Sequence, residues 1–243
     1  MTNIAAFFDI DGTLYREGLI TEIFKKMIKS DIIDIERWYN EVREKYLSWD
    51  RRTGNYDDYL LKIAEIYTDA IAGLHKTQIK FIAKKVVEQK GDRVYTYTRD
   101  RIKFHLNEGH RVIVISGSPA ELVEEMAQKH HVHDFIGTEY LVDKNDIYTG
   151  KVKPMWDSVH KRVSIDFFVN KYNLNLAQSY AYGDTAGDFS MFSAVAYPTA
   201  INPTRELMIK IKNNKNVLNK TKIVVERKDM IYKLTPNDIE IEY

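Results

Sequence analysis

The segment Ile4-Ala5-Ala6-Phe7-Phe8 limits the fold more than any other. It is an unbroken apolar pentapeptide that stops at Asp9-Ile10-Asp11-Gly12-Thr13. A strand that is apolar at both parities must be covered on both faces, as in a parallel sheet between helix layers. The pattern recurs twice. Val112-Ile113-Val114-Ile115 empties into Ser116-Gly117-Ser118-Pro119, and the segment around 179–182 empties into Gly183-Asp184-Thr185. Strand, small polar loop and helix in succession describe a Rossmann-like open α/β sheet, whose ligand crevice lies at the carboxyl ends of its strands.

A crossover between two parallel strands needs only one helix. Between the first two strands this chain carries four helical stripes. They are Leu19, Ile20, Ile23, Phe24, Met27 and Ile28; then Ile35, Trp38, Tyr39, Val42 and Tyr46; then Tyr56, Tyr59, Leu60, Ile63, Ala64, Ile66 and Tyr67; then Ile79, Ile82, Ala83, Val86 and Val87. Arg51-Arg52-Thr53-Gly54-Asn55 reads as a turn between two of them. Residues 16–91 are therefore expected to form a small helical domain inserted into an α/β domain made of 1–15 and 92–243. A helix from about Asp92 leads back to the sheet and ends at Gly109, a C′ glycine. After the second strand, Ser118 as N-cap, Pro119 at N1 and Glu121 predict a capping box.

Composition narrows the function classes. There are 36 basic and 35 acidic residues in 243, with a net charge of +1. Dedicated nucleic-acid binders carry a basic excess, so no nucleic-acid partner is expected. From Arg205 to Lys233 nine basic residues face three acidic ones, which reads as a solvated basic face. The absence of cysteine excludes disulfides, thiolate metal sites and thiol catalysis, and fits a cytoplasmic setting. No apolar run approaches the ~20 residues a bilayer requires, so no membrane partner is expected. Asp9 and Asp11 interrupt any secretory signal.

Two carboxylates two residues apart after a buried strand need positive charge beside them. Asp184 and Asp188 bring two more to another strand end. If the four converge, a hard cation with oxygen ligands is required, and Mg²⁺ suits such a site. Ser116-Gly117-Ser118, opening a helix, supplies a hydroxyl and backbone N–H groups for an anion. Lys161 can add a fixed charge.

At these residues the sequence resembles the haloacid dehalogenase superfamily. Phe8-Asp9-Ile10-Asp11-Gly12-Thr13-Leu14 resembles its first motif, in the phosphatase form. Ile115-Ser116-Gly117-Ser118 resembles the second, Lys161, 23 residues before Asp184, the third, and Gly183-Asp184-Thr185-Ala186-Gly187-Asp188 the fourth. The insert lies where type C1 helical caps occur. The subfamily most similar is the phosphoserine-phosphatase-like group (IB), supported by Ala200-Ile201-Asn202-Pro203.

The resemblance implies roles. Asp9 is the nucleophile that forms an aspartyl-phosphate. Asp11 is the acid for the leaving oxygen and then the base for water. Asp9, Asp184 and the Asp11 carbonyl hold Mg²⁺. Thr13, Ser116, Gly117 and Lys161 bind the phosphoryl group, and Asp188 orients Lys161 or a metal-bound water. Two positions depart from the phosphoserine phosphatase pattern. Gly18 stands where a glutamate reads the substrate ammonium, with Glu17 one residue early, and Gly187 replaces an asparagine. Phosphoserine itself is therefore not implied. Arg51 or Arg52 could meet a substrate carboxylate, although a solvated turn explains both.

The expected function is Mg²⁺-dependent hydrolysis of a small soluble phosphomonoester by a monomer or homodimer. The alternatives are a phosphotransferase or phosphomutase using the same aspartyl-phosphate, and a non-catalytic phosphate-ligand binder.

Overall fold

The computed structural model describes residues 2–155 and 157–241. Its strands are β1 (Ala5–Phe8), β2 (Arg111–Pro119), β3 (Asp134–Val142), β4 (Tyr148–Lys153), β5 (Tyr180–Gly183), β6 (Tyr197–Ile201), β7 (Lys222–Arg227) and β8 (Met230–Leu234). They form one sheet in the order β4-β3-β2-β1-β5-β6-β7-β8. The six inner strands are parallel, and the edges β4 and β8 are antiparallel. All four residues of β1 are buried, as an inner strand between two layers requires. The three strands read from the sequence are β1, β2 and β5, neighbours at the centre, and β1 lies between the other two.

Helices α1 (Leu19–Lys29), α2 (Ile35–Arg37), α3 (Arg43–Asp50), α4 (Tyr56–Ile71) and α5 (Lys76–Lys90) connect β1 to α6 (Thr96–Asn107), which leads into β2. A π-helical segment, Trp38–Val42, joins α2 to α3. Each apolar stripe falls on these helices, and the Arg51–Asn55 turn separates α3 from α4. Beyond β2 come α7 (Ala120–Lys129), α8 (Ser158–Tyr172), α9 (Phe189–Ala194), α10 (Arg205–Lys212) and α11 (Lys215–Leu218). Gly109 has φ +70°, the left-handed value a helix stop uses.

Two apolar clusters flank the sheet. One packs Ala5, Phe7, Ile113, Ile115, Ala181 and Ile223 against α8 to α11. The other packs Ala6, Phe8, Val112 and Val114 against α6 and α7, and continues without a break into α1, α4 and α5. The two chain segments entering and leaving the insert run side by side: the Arg16 N–H donates to the Arg93 carbonyl at 3.0 Å and Tyr95 N–H to that of Leu14 at 2.9 Å. Arg93 also pairs with Glu17 at 2.6 Å across this crossing.

The predicted capping box does not form. β2 runs through Pro119, which is itself the N-cap of α7 with no side-chain cap. Ser118 Oγ donates to Asp11 instead, and Glu121 Oε1 accepts from the Tyr148 hydroxyl at 2.7 Å. Long-range partners outbid the local motif.

Candidate active site

Asp9 follows β1 and Asp184 follows β5, so parallel pairing of those strands brings the two carboxylates together. The Asp9 N–H donates to the Tyr182 carbonyl at 3.0 Å, which fixes the crossover of the two strand ends. Oxygens of Asp9, Asp184 and Asp188 lie within 4.8 Å of one another, all buried. The next residues turn sharply: the N–H groups of Thr13, Leu14 and Tyr15 all point at the Ile10 carbonyl. Gly12 has φ +80°, and a Cβ there would stand 2.0 Å from Asp184 Oδ2, so only glycine lets the loop lie against the carboxylate.

Lys161, in the first turn of α8, is 3 % exposed and ties the group together. Its ammonium donates to Asp9 Oδ1 at 2.6 Å and to Asp188 Oδ1 at 2.5 Å. Asp188 is fully used within the protein. Its Oδ2 accepts from the N–H groups of Asp184 and Thr185 and from the Thr185 hydroxyl. It therefore fastens Lys161 to the loop after β5. Thr13 was expected to bind the phosphoryl group; its buried hydroxyl donates to Asp184 Oδ1 at 2.8 Å and so orients that carboxylate.

Asp11 points elsewhere. Its Oδ2 accepts from Ser118 Oγ at 2.6 Å and Ser116 Oγ at 3.3 Å, and its Oδ1 from the Leu19 N–H at 2.7 Å. Its carboxylate is outside the group that could hold a metal, consistent with a separate duty. Ser118 and the first turn of α1 are partners that sequence reasoning missed. Ser116 is buried beside Asp11, and the Gly117 carbonyl accepts from Thr138 Oγ1 at 2.7 Å. Glu17 is half-exposed at the crossing with Arg93, and Gly18 is the N-cap of α1. Arg51 and Arg52 are exposed in their turn.

The electrostatics ask for another positive charge. Burial, helped by Asp188 and Asp11 and opposed by Lys161, pushes Asp9 up to about 8. Burial, then Asp188 and Asp9, push Asp184 well above the usual carboxylate range. Burial would lower Lys161, but the Asp188 and Asp9 carboxylates hold it above its ordinary value. Asp11 is raised by burial against the pull of Ser118, Leu19 and Ser116. One ammonium facing three buried carboxylates leaves a deficit, and the oxygens present suit a hard divalent cation.

The sequence model of haloacid dehalogenase-like hydrolases matches residues 6–193, a span that contains all of these side chains. The chain belongs to that family. Among relatives of this hydrolase, the inhibition of morphological differentiation protein of Streptomyces azureus is 26% identical over 205 residues, covering 84% of this chain and 73% of the relative. A protein of unknown function from Bordetella pertussis Tohama I superposes with a TM-score of 0.71 at 19% identity, covering 87% and 96% of the two chains. A phospho-aspartyl intermediate analogue of phosphoserine phosphatase superposes with a TM-score of 0.59 at 20% identity, covering 94% and 96%. The structural likenesses establish that this hydrolase shares their fold, a mostly parallel sheet with helices on both faces.

Proposed function

We propose that this hydrolase is a Mg²⁺-dependent phosphatase of small soluble phosphomonoesters that works through an aspartyl-phosphate on Asp9. The observation that carries the reading is the division of labour among the carboxylates. Asp9 and Asp184 share a buried group with Lys161, while Asp11 is held apart by hydroxyls and a helix N–H. A nucleophile, a charge-neutralising group and an independent acid–base are what two-step phosphoryl transfer needs. The likeness in fold to phosphoserine phosphatase agrees with this.

Asp9, Asp184 and the main-chain carbonyl of Asp11 would hold the metal, which would offset charge on the phosphoryl oxygens. Lys161, Ser116 and the Gly117 N–H grip those oxygens. Asp9 Oδ attacks phosphorus as Asp11 gives its proton to the departing alkoxide. Asp11, now a carboxylate, takes a proton from the water that cleaves the acyl phosphate. Residues 16–91 act as a cap over a body made of 1–15 and 92–243, and the cap selects the alcohol half of the ester. With Gly18 at the N-cap of α1 and Glu17 engaged by Arg93, no carboxylate from these two positions faces a substrate ammonium. The substrate class is therefore a phosphomonoester that need not carry an amino group.

Release of inorganic phosphate from a panel of phosphoserine, phosphoethanolamine, phosphocholine and sugar phosphates, with and without Mg²⁺, tests this. Asp9→Asn should lower turnover at least ~10³-fold, because an amide cannot form the acyl phosphate. Hydrolysis by Asp9→Asn near the parent rate, or full activity after exhaustive chelation, would sink the reading. Transfer to an alcohol acceptor without phosphate release would replace it with a phosphotransferase.

A further inference from the structure

The sheet carries a second concave region, at the opposite end of its strands from Asp9 and Asp184. Tyr197 and Lys222 are the first residues of β6 and β7, whereas the acidic group follows the last residues of β1 and β5. Here the face that α6 borders opens into a trough of about 800 Å³, bounded by α6, β5 to β8 and the turn after β8. Its floor is Thr199 and Val224, both buried.

The walls are of two kinds. One is a stack of rings. His110 lies on Tyr180 (5.8 Å, 21°), and Tyr180 lies on Tyr197 (4.9 Å, 30°). The stack ends at Tyr197, which is 48% exposed. The other wall is cationic. The register pairs Val224 with Lys233 and Thr199 with Lys222, which sets Lys222 and Lys233 diagonally on one face. Neither lysine makes an ion pair among the described residues, and the nearby Lys220 is different, spending its ammonium on the Ser193 and Val195 carbonyls. Asp238, the acid of the lining, is satisfied by the Thr235 N–H and hydroxyl. The two ammonium groups, diagonal on one face and without an ion-pair partner among the described residues, leave a place for an anion between them. An open tyrosine face is a platform for a further planar ring.

We propose that this trough is a binding site for a ligand joining a planar aromatic ring to a phosphate, the nucleotide class, with the ring on Tyr197 and the phosphate between Lys222 and Lys233. The volume is that of a small-molecule site. Its ligand is separate from the substrate hydrolysed at Asp9, and the inference does not depend on the proposed phosphatase activity. The same chemistry is offered by a free nucleotide and by a stretch of single-stranded nucleic acid.

Equilibrium binding of ADP to the full chain in excess chelator, by calorimetry, tests the site without the metal-dependent centre. ADP should bind saturably, and adenosine and pyrophosphate, each carrying one half of the recognition, at least about tenfold more weakly. Tyr197→Ala and the pair Lys222→Gln/Lys233→Gln should each weaken ADP about tenfold or more. Their phosphatase rates and thermal midpoints should stay at parent values, and Asp9→Asn should leave ADP affinity unchanged. If an octathymidylate binds with the same sensitivity to these substitutions, nucleic acid is the source of the chemistry; if only ADP does, free nucleotide is. No saturable ADP binding would overturn the proposal. So would affinity that survives the trough substitutions but is lost in Asp9→Asn, or binding of a polyglutamate peptide that matches ADP and ignores Tyr197→Ala.

Discussion

Asp11 accepts three hydrogen bonds, each of which favours its ionised form against a burial that opposes it. The balance sets when it can serve as base. Ser118→Ala removes the shortest side-chain bond, 2.6 Å, and should raise the Asp11 pKa. The acid limb of the rate–pH profile should then move to higher pH, by up to about one unit for a charge-assisted bond. An unmoved limb with a uniformly lower rate would give Ser118 a purely structural part. Asp9 carries a prediction about stability. Its pKa rises from an ordinary 3.8 to about 8 on folding, so the folded state holds the proton more tightly. Stability of the metal-free protein should therefore be fullest below about pH 4 as far as this group is concerned, and should fall as pH rises toward 8. Mg²⁺ should restore most of the loss at pH 8 and little at pH 5. Thermal midpoints in chelator and in Mg²⁺ across that range check it; a chelated midpoint that climbs with pH would contradict the burial argument. Asp9 and Asp184 were legible in the sequence because each stands at a strand end, whereas Lys161 was picked out only by its spacing from Asp184 in the motif set the chain resembles. Ser118 was misread because its partner is 107 residues away, and local capping rules do not see it.

Among the elements, α7 and β4 illustrate the same limit. Tyr148 and Glu121 are both buried, and the phenol donates to the carboxylate at 2.7 Å, joining an edge strand to the helix after β2. The other oxygen, Glu121 Oε2, is buried without a partner. Tyr148→Phe should leave the carboxylate with neither oxygen bonded, at a cost of about 1–3 kcal/mol or more. Chemical denaturation reads this directly, and a loss below about 0.5 kcal/mol would mean that the site rehydrates or repacks. The strand that ends in Pro119 explains why the sequence misled here. Ser-x-x-Glu before an apolar run is a capping signature only where the helix has already begun, and β2 continues through these residues. Strand existence was legible from continuous apolar runs. Only the central strands β1, β2 and β5 were read this way; β3, β6 and β7 were not, nor were the edges β4 and β8, whose mostly exposed residues lack the burial a covered strand shows.

At the scale of the whole molecule, the question is how far the insert moves as one piece. Its four stripes were read as a bundle with its own core, yet the apolar cluster is shared. Ile79, Ile82, Ala83, Val86 and Val87 of α5 belong to the same cluster as Leu122, Val123 and Met126 of α7 and Phe8 of β1. By contrast, α2 and α3 bury no residue, and the π-helical segment between them buries only Val42. The insert is thus graded in its attachment. Opening α5 would expose fully buried core, while opening residues 35–50 would expose chiefly the partly buried rings of Trp38 and Tyr46 that pack on the cluster's edge, at a smaller cost. Amide hydrogen exchange of the ligand-free protein should find α5 protected to the level of α7, and residues 35–50 exchanging much faster. Adding Mg²⁺ with a metal-fluoride mimic of phosphate should fill the site at Asp9. Because the Leu19 N–H is bonded to Asp11, order at the site should reach α1 directly. Protection should therefore rise in α1 and in residues 35–50, with α5 and the edge strands unchanged. Such a motion excludes water during transfer and readmits it for the second step. If α5 gained protection together with residues 35–50, the insert would swing as a rigid lid hinged at the Arg16–Arg93 crossing. If nothing in 16–91 responded, the cap would be a fixed wall, and ester selection would rest on a pocket formed before substrate arrives.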